Sequence, residues 1–432
     1  MERKIVESLI AWKNNPKRQP LLLQGARQVG KTYTLLSFGK QYYKNVAYFS
    51  MEESVGIPEI WGRDLNPERI IKELSAVSGQ SILPKDTLII FDEIQACEQA
   101  LTSLKYFAEK SPHYHIAAAG SLLGVAMKRE KFSFPVGKVD MLYLSPMDFE
   151  EFLWANGQSE LCGLIKEAYA GFTPLSLHEK AMDLYKTYLV VGGMPRVVQE
   201  YADNRDFDFV TVLQRTLNDS YIADMAKYAT PQETTRIMAA WASVPAQLAK
   251  ENRKFRYKVI KSGARAADYE VALDWLKAAG MINKCVLVNS GKMPLSAYAK
   301  NEMFKIYMVD TGLLCSKFDI APNVVINTPH SFDGFKGALA ENYVMQALVT
   351  NGIKPFYWAS EGKAEVDFVF QDRQGNIIPL EVKSSDNVRS KSLRVYCDNY
   401  KPLYSVRVSA KNFGFENSVK SIPLYGLAWL RV

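Results

Sequence analysis

Over the first 155 residues, short apolar runs alternate with stretches whose apolar positions recur every three or four residues. The runs at 21–23, 46–50, 87–91, 116–119 and 141–144 read as strands, and 70–77 and 100–107 have helical spacing. Strands alternating with helices predict a mainly parallel sheet covered on both faces. Ser145-Pro146-Met147-Asp148-Phe149-Glu150-Glu151-Phe152 predicts a further helix, with Ser145 as its N-cap and Pro146 in the first turn. From 156 to 243 the pattern is mostly helical, broken at Gly192-Gly193-Met194-Pro195. Residues 244–324 change character: short helices, a turn at Ser262-Gly263, a helix over 267–279 closed by Gly280, then a β-rich run at 281–288 and a turn at Ser290-Gly291. Helices followed by a small hairpin predict a winged-helix-like module. From 325 to 432 an α/β pattern returns, with a helix over 339–350 and strands near 365–370 and 377–382. The predicted fold class is therefore α/β, in four segments: 1–155, 156–243, 244–324 and 325–432.

The first predicted strand runs into Gly25-Ala26-Arg27-Gln28-Val29-Gly30-Lys31-Thr32, and helical spacing resumes at Tyr33. A glycine-rich loop between strand and helix is a phosphate cradle, because its glycines let successive N–H groups point inward at the helix's positive end. In such a loop the Lys31 ammonium reaches the β- and γ-phosphates of a triphosphate and the Thr32 hydroxyl ligates Mg²⁺. The loop residues Gly25, Ala26, Arg27, Gln28, Val29, Gly30, Lys31 and Thr32, with Tyr33 after them, form the predicted nucleotide contact. Some sixty positions on, the strand Thr87-Leu88-Ile89-Ile90-Phe91 ends in Asp92-Glu93. Asp92 is placed to support Mg²⁺ and Glu93 to activate a water. The next strand ends at Gly120-Ser121, where Ser121 either senses the γ-phosphate or caps a helix. A cation should also face that phosphate. Arg27, Arg129, Lys138 and Arg196 are candidates between which spacing does not choose.

Length and composition narrow the setting. A chain of 432 residues exceeds one ordinary core. A net charge of +7 favours acidic partners only weakly. Five scattered cysteines argue against a zinc site or disulfide framework and for a reducing cytoplasm. No apolar run has the length of a signal peptide or a bilayer span, so a cytoplasmic protein without membrane attachment is expected.

A second constellation lies near the C-terminus. Glu365-Val366-Asp367-Phe368 precedes Pro379-Leu380-Glu381-Val382-Lys383, and strand alternation puts Glu381 and Lys383 on one face. With Asp367 facing them from a neighbouring strand and Glu341 contributed by the preceding helix, the set can hold a hard divalent cation. Such a set can also aim a water at a phosphodiester. The alternative is an edge-strand set of solvated charges. In the winged-helix-like segment, Arg253, Lys254, Arg256, Lys258, Lys261 and Arg265 surround Phe255 and Tyr257. They form either a track for a DNA or RNA backbone or a solvated basic face.

With both constellations in view, the chain resembles a prokaryotic family of AAA-type P-loop ATPases that carry a C-terminal restriction-endonuclease-like domain. The resemblance runs through the glycine-rich loop, Phe91-Asp92-Glu93-Ile94-Gln95, Gly120-Ser121 and the 145–152 segment. It continues through Tyr188 and Gly192-Gly193-Met194-Pro195, then Lys305-Ile306-Tyr307-Met308-Val309-Asp310-Thr311-Gly312-Leu313. It ends on Glu341, Glu365-Val366-Asp367-Phe368 and Glu381-Val382-Lys383. It implies ATP as the nucleotide, a nuclease-like fold that cuts or merely binds nucleic acid, and a tendency to oligomerise. Where relatives tend to have Gly-Arg before the fifth strand this chain has Gly137-Lys138, a charge without arginine's bidentate fork. Two readings follow. One is an Mg²⁺-dependent ATPase whose nucleotide state controls a nuclease-like domain, with Glu93, Lys31, Asp367, Glu381 and Lys383 as its catalytic groups. The other is a nucleotide-dependent switch or scaffold whose silent C-terminal domain binds a protein partner.

Overall fold

The computed structural model describes residues 1–431 except 54–55, 122–133, 251–252, 328–332, 361–363 and 384–390. The chain divides into two compact units: residues 2–145 with 278–280, and residue 1 with 146–277 and 281–432.

The N-terminal unit is built on β1 (Leu21–Gln24), β2 (Asn45–Ser50), β3 (Thr87–Asp92), β4 (His115–Ala119) and β5 (Asp140–Tyr143), in the order β2-β3-β4-β1-β5. Every pairing is parallel, as the alternation predicts. All six residues of β3 are buried, as a strand covered on both faces requires. Its Phe91 packs edge-on against Trp61 at 5.5 Å between ring centroids. The helix Pro67–Ser78 shows how local sequence sets the covering elements. Asn66 caps it by accepting from the Glu68 and Arg69 N–H groups, Pro67 opens it, and Gly79 at φ +66° closes it. That helix buries Ile70, Ile71 and Leu74 against the sheet core. Because the strands are parallel, the residues that follow β1, β3 and β4 all emerge at one sheet edge, where α/β proteins hold their ligands.

The C-terminal unit begins with helices. The first, Phe149–Ala155, is capped by Asp148, whose carboxylate accepts from Glu151 N–H at 2.9 Å in a reciprocal capping box. The predicted cap, Ser145, lies outside it. The cap is set by the Asp148–Glu151 box, and just before it the Met147 N–H donates to the Gly193 carbonyl at 2.7 Å. A buried polar hub surrounds that bond. Tyr188 Oη donates to the Met147 carbonyl at 2.6 Å, and Gln346 Nε2 donates to Tyr188 Oη at 2.8 Å. The Gly193 N–H donates to Asp310 Oδ2 at 2.6 Å, and the Leu313 N–H to Oδ1 at 2.9 Å. A Cβ at Gly193 would fall 1.9 Å from the Met147 carbonyl oxygen, so no larger residue fits. Burial raises the Asp310 carboxyl to about 6 against the pull of its backbone donors.

The same unit contains an eight-stranded mixed sheet of β6 (Ile282–Val288), β7 (Ala299–Met308), β8 (Phe356–Ala359), β9 (Glu365–Gln371), β10 (Ile377–Val382), β11 (Ser405–Ser409), β12 (Gly414–Glu416) and β13 (Val419–Pro423), in the order β12-β13-β11-β10-β9-β8-β6-β7. The helices Tyr257–Ile260 and Ala266–Ala278 and the β6–β7 hairpin form where the winged-helix-like module is predicted. The hairpin is not free-standing, however. β6 pairs in parallel with β8, from Val286 opposite Phe356 to Val288 opposite Trp358, and so extends the C-terminal sheet. Strand alternation identifies a hairpin but is silent on what pairs with its outer edge.

Candidate nucleotide site and a second charged cluster

The loop after β1 carries three residues with positive φ: Gly25 at +149°, Gln28 at +63° and Gly30 at +90°. A Cβ at Gly25 would lie 2.2 Å from the Leu144 carbonyl oxygen, so glycine is enforced there by close approach as well as by φ. The helix Lys31–Tyr42 starts directly from Gly30 and none of its first-turn residues is acidic. The helix itself therefore adds no negative charge to its positive end. Lys31 is buried, and its Nζ donates to the Gly25 and Ala26 carbonyls at 3.1 and 2.8 Å. The ammonium is thus folded back over the loop that a triphosphate would fill. Burial lowers Lys31 to about 8; Glu93 and then Asp92 raise it, and Arg27 lowers it.

Opposite the loop, Asp92 Oδ2 accepts from Thr32 Oγ1 at 2.7 Å and from Tyr48 Oη at 2.9 Å. Its Oδ1 accepts the Glu93 N–H at 3.1 Å. Asp92 is 5 % exposed, and the donors on it are neutral hydroxyls and an amide. Glu93 adopts a left-handed φ of +47°, which turns it out of the strand. Gln95 Nε2 donates to Glu93 Oε2, and Ser121 Oγ donates to the same oxygen at 3.4 Å. Ser121 therefore reaches the residue predicted to activate water. Arg27, Gln28 and Tyr33 are all exposed, with Tyr33 at 59 %. Among the candidate cations, Lys138 is paired with Glu109 at 3.1 Å. Arg196 lies in the other unit, on the helix Pro195–Asn204, and Arg129 falls outside the described residues. Three residues without a predicted role take part: Tyr48, Gln95 and Arg3, the last through a bond from its Nη1 to the Val29 carbonyl at 2.9 Å. Of these only Gln95, two positions after Glu93, carries a local signal.

In the C-terminal sheet, Lys383 Nζ and Glu381 Oε1 meet at 2.8 Å, on one face. Asp367, on the neighbouring antiparallel strand, accepts the Val382 N–H at 2.8 Å. Glu341 is placed differently from the expected metal shell. Its carboxylate is fully buried between cations: Lys305 Nζ at 3.1 Å and the Arg253 guanidinium, with Tyr307 Oη donating at 2.5 Å. Lys305, 1 % exposed, also contacts Glu365 at 2.9 Å, and Lys254 contacts Glu365 at 3.1 Å. Two of the basic residues read as a nucleic-acid track, Arg253 and Lys254, are therefore spent on these carboxylates. Among the described residues no group of three or more His, Cys, Asp or Glu side chains is placed to hold a metal ion. Also among the described residues, no helix is long and apolar enough to cross a membrane.

Residues 17–153 match the AAA domain family. Residues 182–323 and 336–427 match two families described as domains of unknown function, DUF8612 and DUF4143. No curated protein matches the chain. Among solved structures, the Walker-type ATPase PABY2304 of Pyrococcus abyssi is similar at 14% identity and a TM-score of 0.45, covering 73% of this chain and 95% of that one. The ORC2 protein of Aeropyrum pernix, in ADPNP–ADP complexes, is similar at 12% identity and a TM-score of 0.32, covering 75% and 91%. The RuvB Holliday junction branch migration motor of Thermotoga maritima is similar at 15% identity and a TM-score of 0.30, covering 68% and 91%.

Proposed function

From the premise that residues 17–153 form an AAA-type P-loop ATPase domain, we propose that the chain is an Mg²⁺-dependent ATP switch. In this reading its C-terminal unit recruits a partner and does not itself cleave nucleic acid. The observation that carries the first half is the Thr32–Asp92 bond at 2.7 Å beside the buried Lys31. A hydroxyl and a carboxylate in contact are the hard oxygen donors that Mg²⁺ takes, so the residues fit the ion. When bound, Mg²⁺ supplies charge neutralisation at the β- and γ-phosphates. The backbone N–H groups of residues 25–32 orient the triphosphate. Lys31 leaves the Gly25 and Ala26 carbonyls for phosphate oxygens and so exchanges neutral acceptors for charged ones. Glu93 takes the proton of the attacking water at its carboxylate, while Gln95 and Ser121 hold that carboxylate in place. The Tyr48 hydroxyl keeps Asp92 oriented.

The second half rests on Glu341. Lys305 and Arg253 neutralise the carboxylate expected to complete the metal shell of Asp367 and Glu381, and a buried pair of this kind is costly to open. Purified protein should hydrolyse ATP with Mg²⁺, and Lys31→Ala should cut turnover by about a hundredfold or more. Unchanged turnover in that variant refutes the site. Incubating DNA and RNA with Mg²⁺ or Mn²⁺ decides the C-terminal half. No cleavage is expected with or without ATP, whereas cleavage abolished by Asp367→Ala would establish Asp367, Glu381 and Lys383 as a nuclease centre.

A further inference from the structure

Arg3 is 6 % exposed, and its guanidinium spans two distant pieces of backbone. Nη1 donates to the Val29 carbonyl of the phosphate loop at 2.9 Å, and Nη2 donates to the Ser145 carbonyl at 2.6 Å. Ser145 is the last residue of the N-terminal unit before the chain passes into the next one. We propose that Arg3 is a positioning residue that makes the 144–147 segment respond to nucleotide in the loop, a regulatory step that rests on the ATP-binding reading above.

Three observations support this. The loop touches the exit segment twice. At one end of the loop Gly25 packs so closely on the Leu144 carbonyl that no Cβ fits, and at the other Val29 is joined to Ser145 through Arg3. Lys31 Nζ donates to the Gly25 and Ala26 carbonyls, the acceptors that phosphate oxygens would replace, so nucleotide changes the contacts of the glycine that packs on Leu144. Finally, the exit segment is short and held at its far end. Pro146 has a fixed φ, and Met147 is bonded through its N–H to Gly193 and through its carbonyl to Tyr188. A shift of the loop therefore reaches a segment with little slack to absorb it. The residue type fits the task, since arginine's planar fork holds two acceptors at fixed separation and a lysine ammonium lacks that fork.

The test is amide hydrogen exchange on the full chain, with and without Mg²⁺ and a non-hydrolysable ATP analogue, over peptides covering 25–32 and 143–149. In the wild type, nucleotide should alter exchange in both peptides. In Arg3→Ala the loop should still be protected at saturating nucleotide, with affinity weakened roughly tenfold by the lost charged hydrogen bond. The 143–149 response should shrink markedly, leaving only what passes through the Gly25–Leu144 contact. Arg3→Lys should restore affinity in part without restoring the 143–149 response, and it carries the test if the alanine variant does not fold. An undiminished 143–149 response in the variant that folds would overturn the proposal. So would a wild type that binds nucleotide with no change at 143–149. A wild type that binds no nucleotide would instead sink the ATP-binding reading, so the two failures are distinguishable.

Discussion

Asp92 and Glu341 are both buried carboxylates at the heart of a motif, yet their surroundings make them chemically unlike. Asp92 is hydrogen-bonded by two hydroxyls and an amide, with the Lys31 ammonium interacting through space and no cation in direct contact among the bonds described. Glu341 is met by an ammonium and a guanidinium as well as a phenol, so its charge is consumed inside the fold. In the proposed reading, the first arrangement leaves a site that gains by adding a cation. In the second, an added cation would have to displace a buried salt bridge, at several kcal/mol.

The largest expected effect that tests this contrast is at Glu93. Glu93→Gln keeps the shape and the bond to Gln95 but removes the base, so ATP turnover should fall by about two to four orders of magnitude while nucleotide still binds. Single-turnover kinetics with an equilibrium binding measurement checks this; a parallel loss of binding would make Glu93 a structural residue. Next in size is Lys305→Ala. It strips the buried Glu341 of one counter-charge and should destabilise the C-terminal unit by about 3–5 kcal/mol, read as a lowered denaturation midpoint. If the single variant is as stable as the wild type, the cluster is hydrated and the contrast with Asp92 fails.

The smallest effect is a pH dependence. Lys31 is held down to about 8 against an ordinary value of 10.5. Below about 8 it is an ammonium and attracts phosphate; as pH rises through 8 it becomes neutral and that attraction is lost. Bound phosphate favours the charged form, so binding above pH 8 takes up a proton. ATP affinity should be flat near pH 7 and should fall by up to about tenfold per pH unit above 8. Isothermal titration in buffers of different ionisation enthalpy measures both the fall and the proton uptake. An affinity unchanged up to pH 10 would contradict the environment assigned to Lys31.

Much of the N-terminal unit is legible in the order of its residues alone. Buried strands such as 87–91 are continuous apolar runs, and the loop from Gly25 to Thr32 is a contiguous stretch whose geometry depends on neighbours in sequence. The facing of Thr32 and Asp92 follows from parallel strands that end at one edge. The C-terminal set is legible only in part. Alternation correctly puts Glu381 and Lys383 side by side, because residues two apart on a strand share a face. It says nothing of Lys305, which sits in another strand 36 residues before Glu341. The helix cap falls at Asp148 and not at Ser145 because Asp148 and Glu151 form a reciprocal box, a local signal that outweighs the Ser-Pro pair before it.

A few consecutive residues are enough to settle the glycine-rich curl, the acid pair closing a buried strand and the alternation that makes a parallel sheet. These depend on backbone conformations and periodicities that each segment carries within itself. Which carboxylate keeps its charge, which strand extends the hairpin and which arginine grips the loop are settled by packing between distant parts of the chain. Arg3 meets carbonyls 26 and 142 residues away, and no local pattern encodes hydrogen bonds of that span.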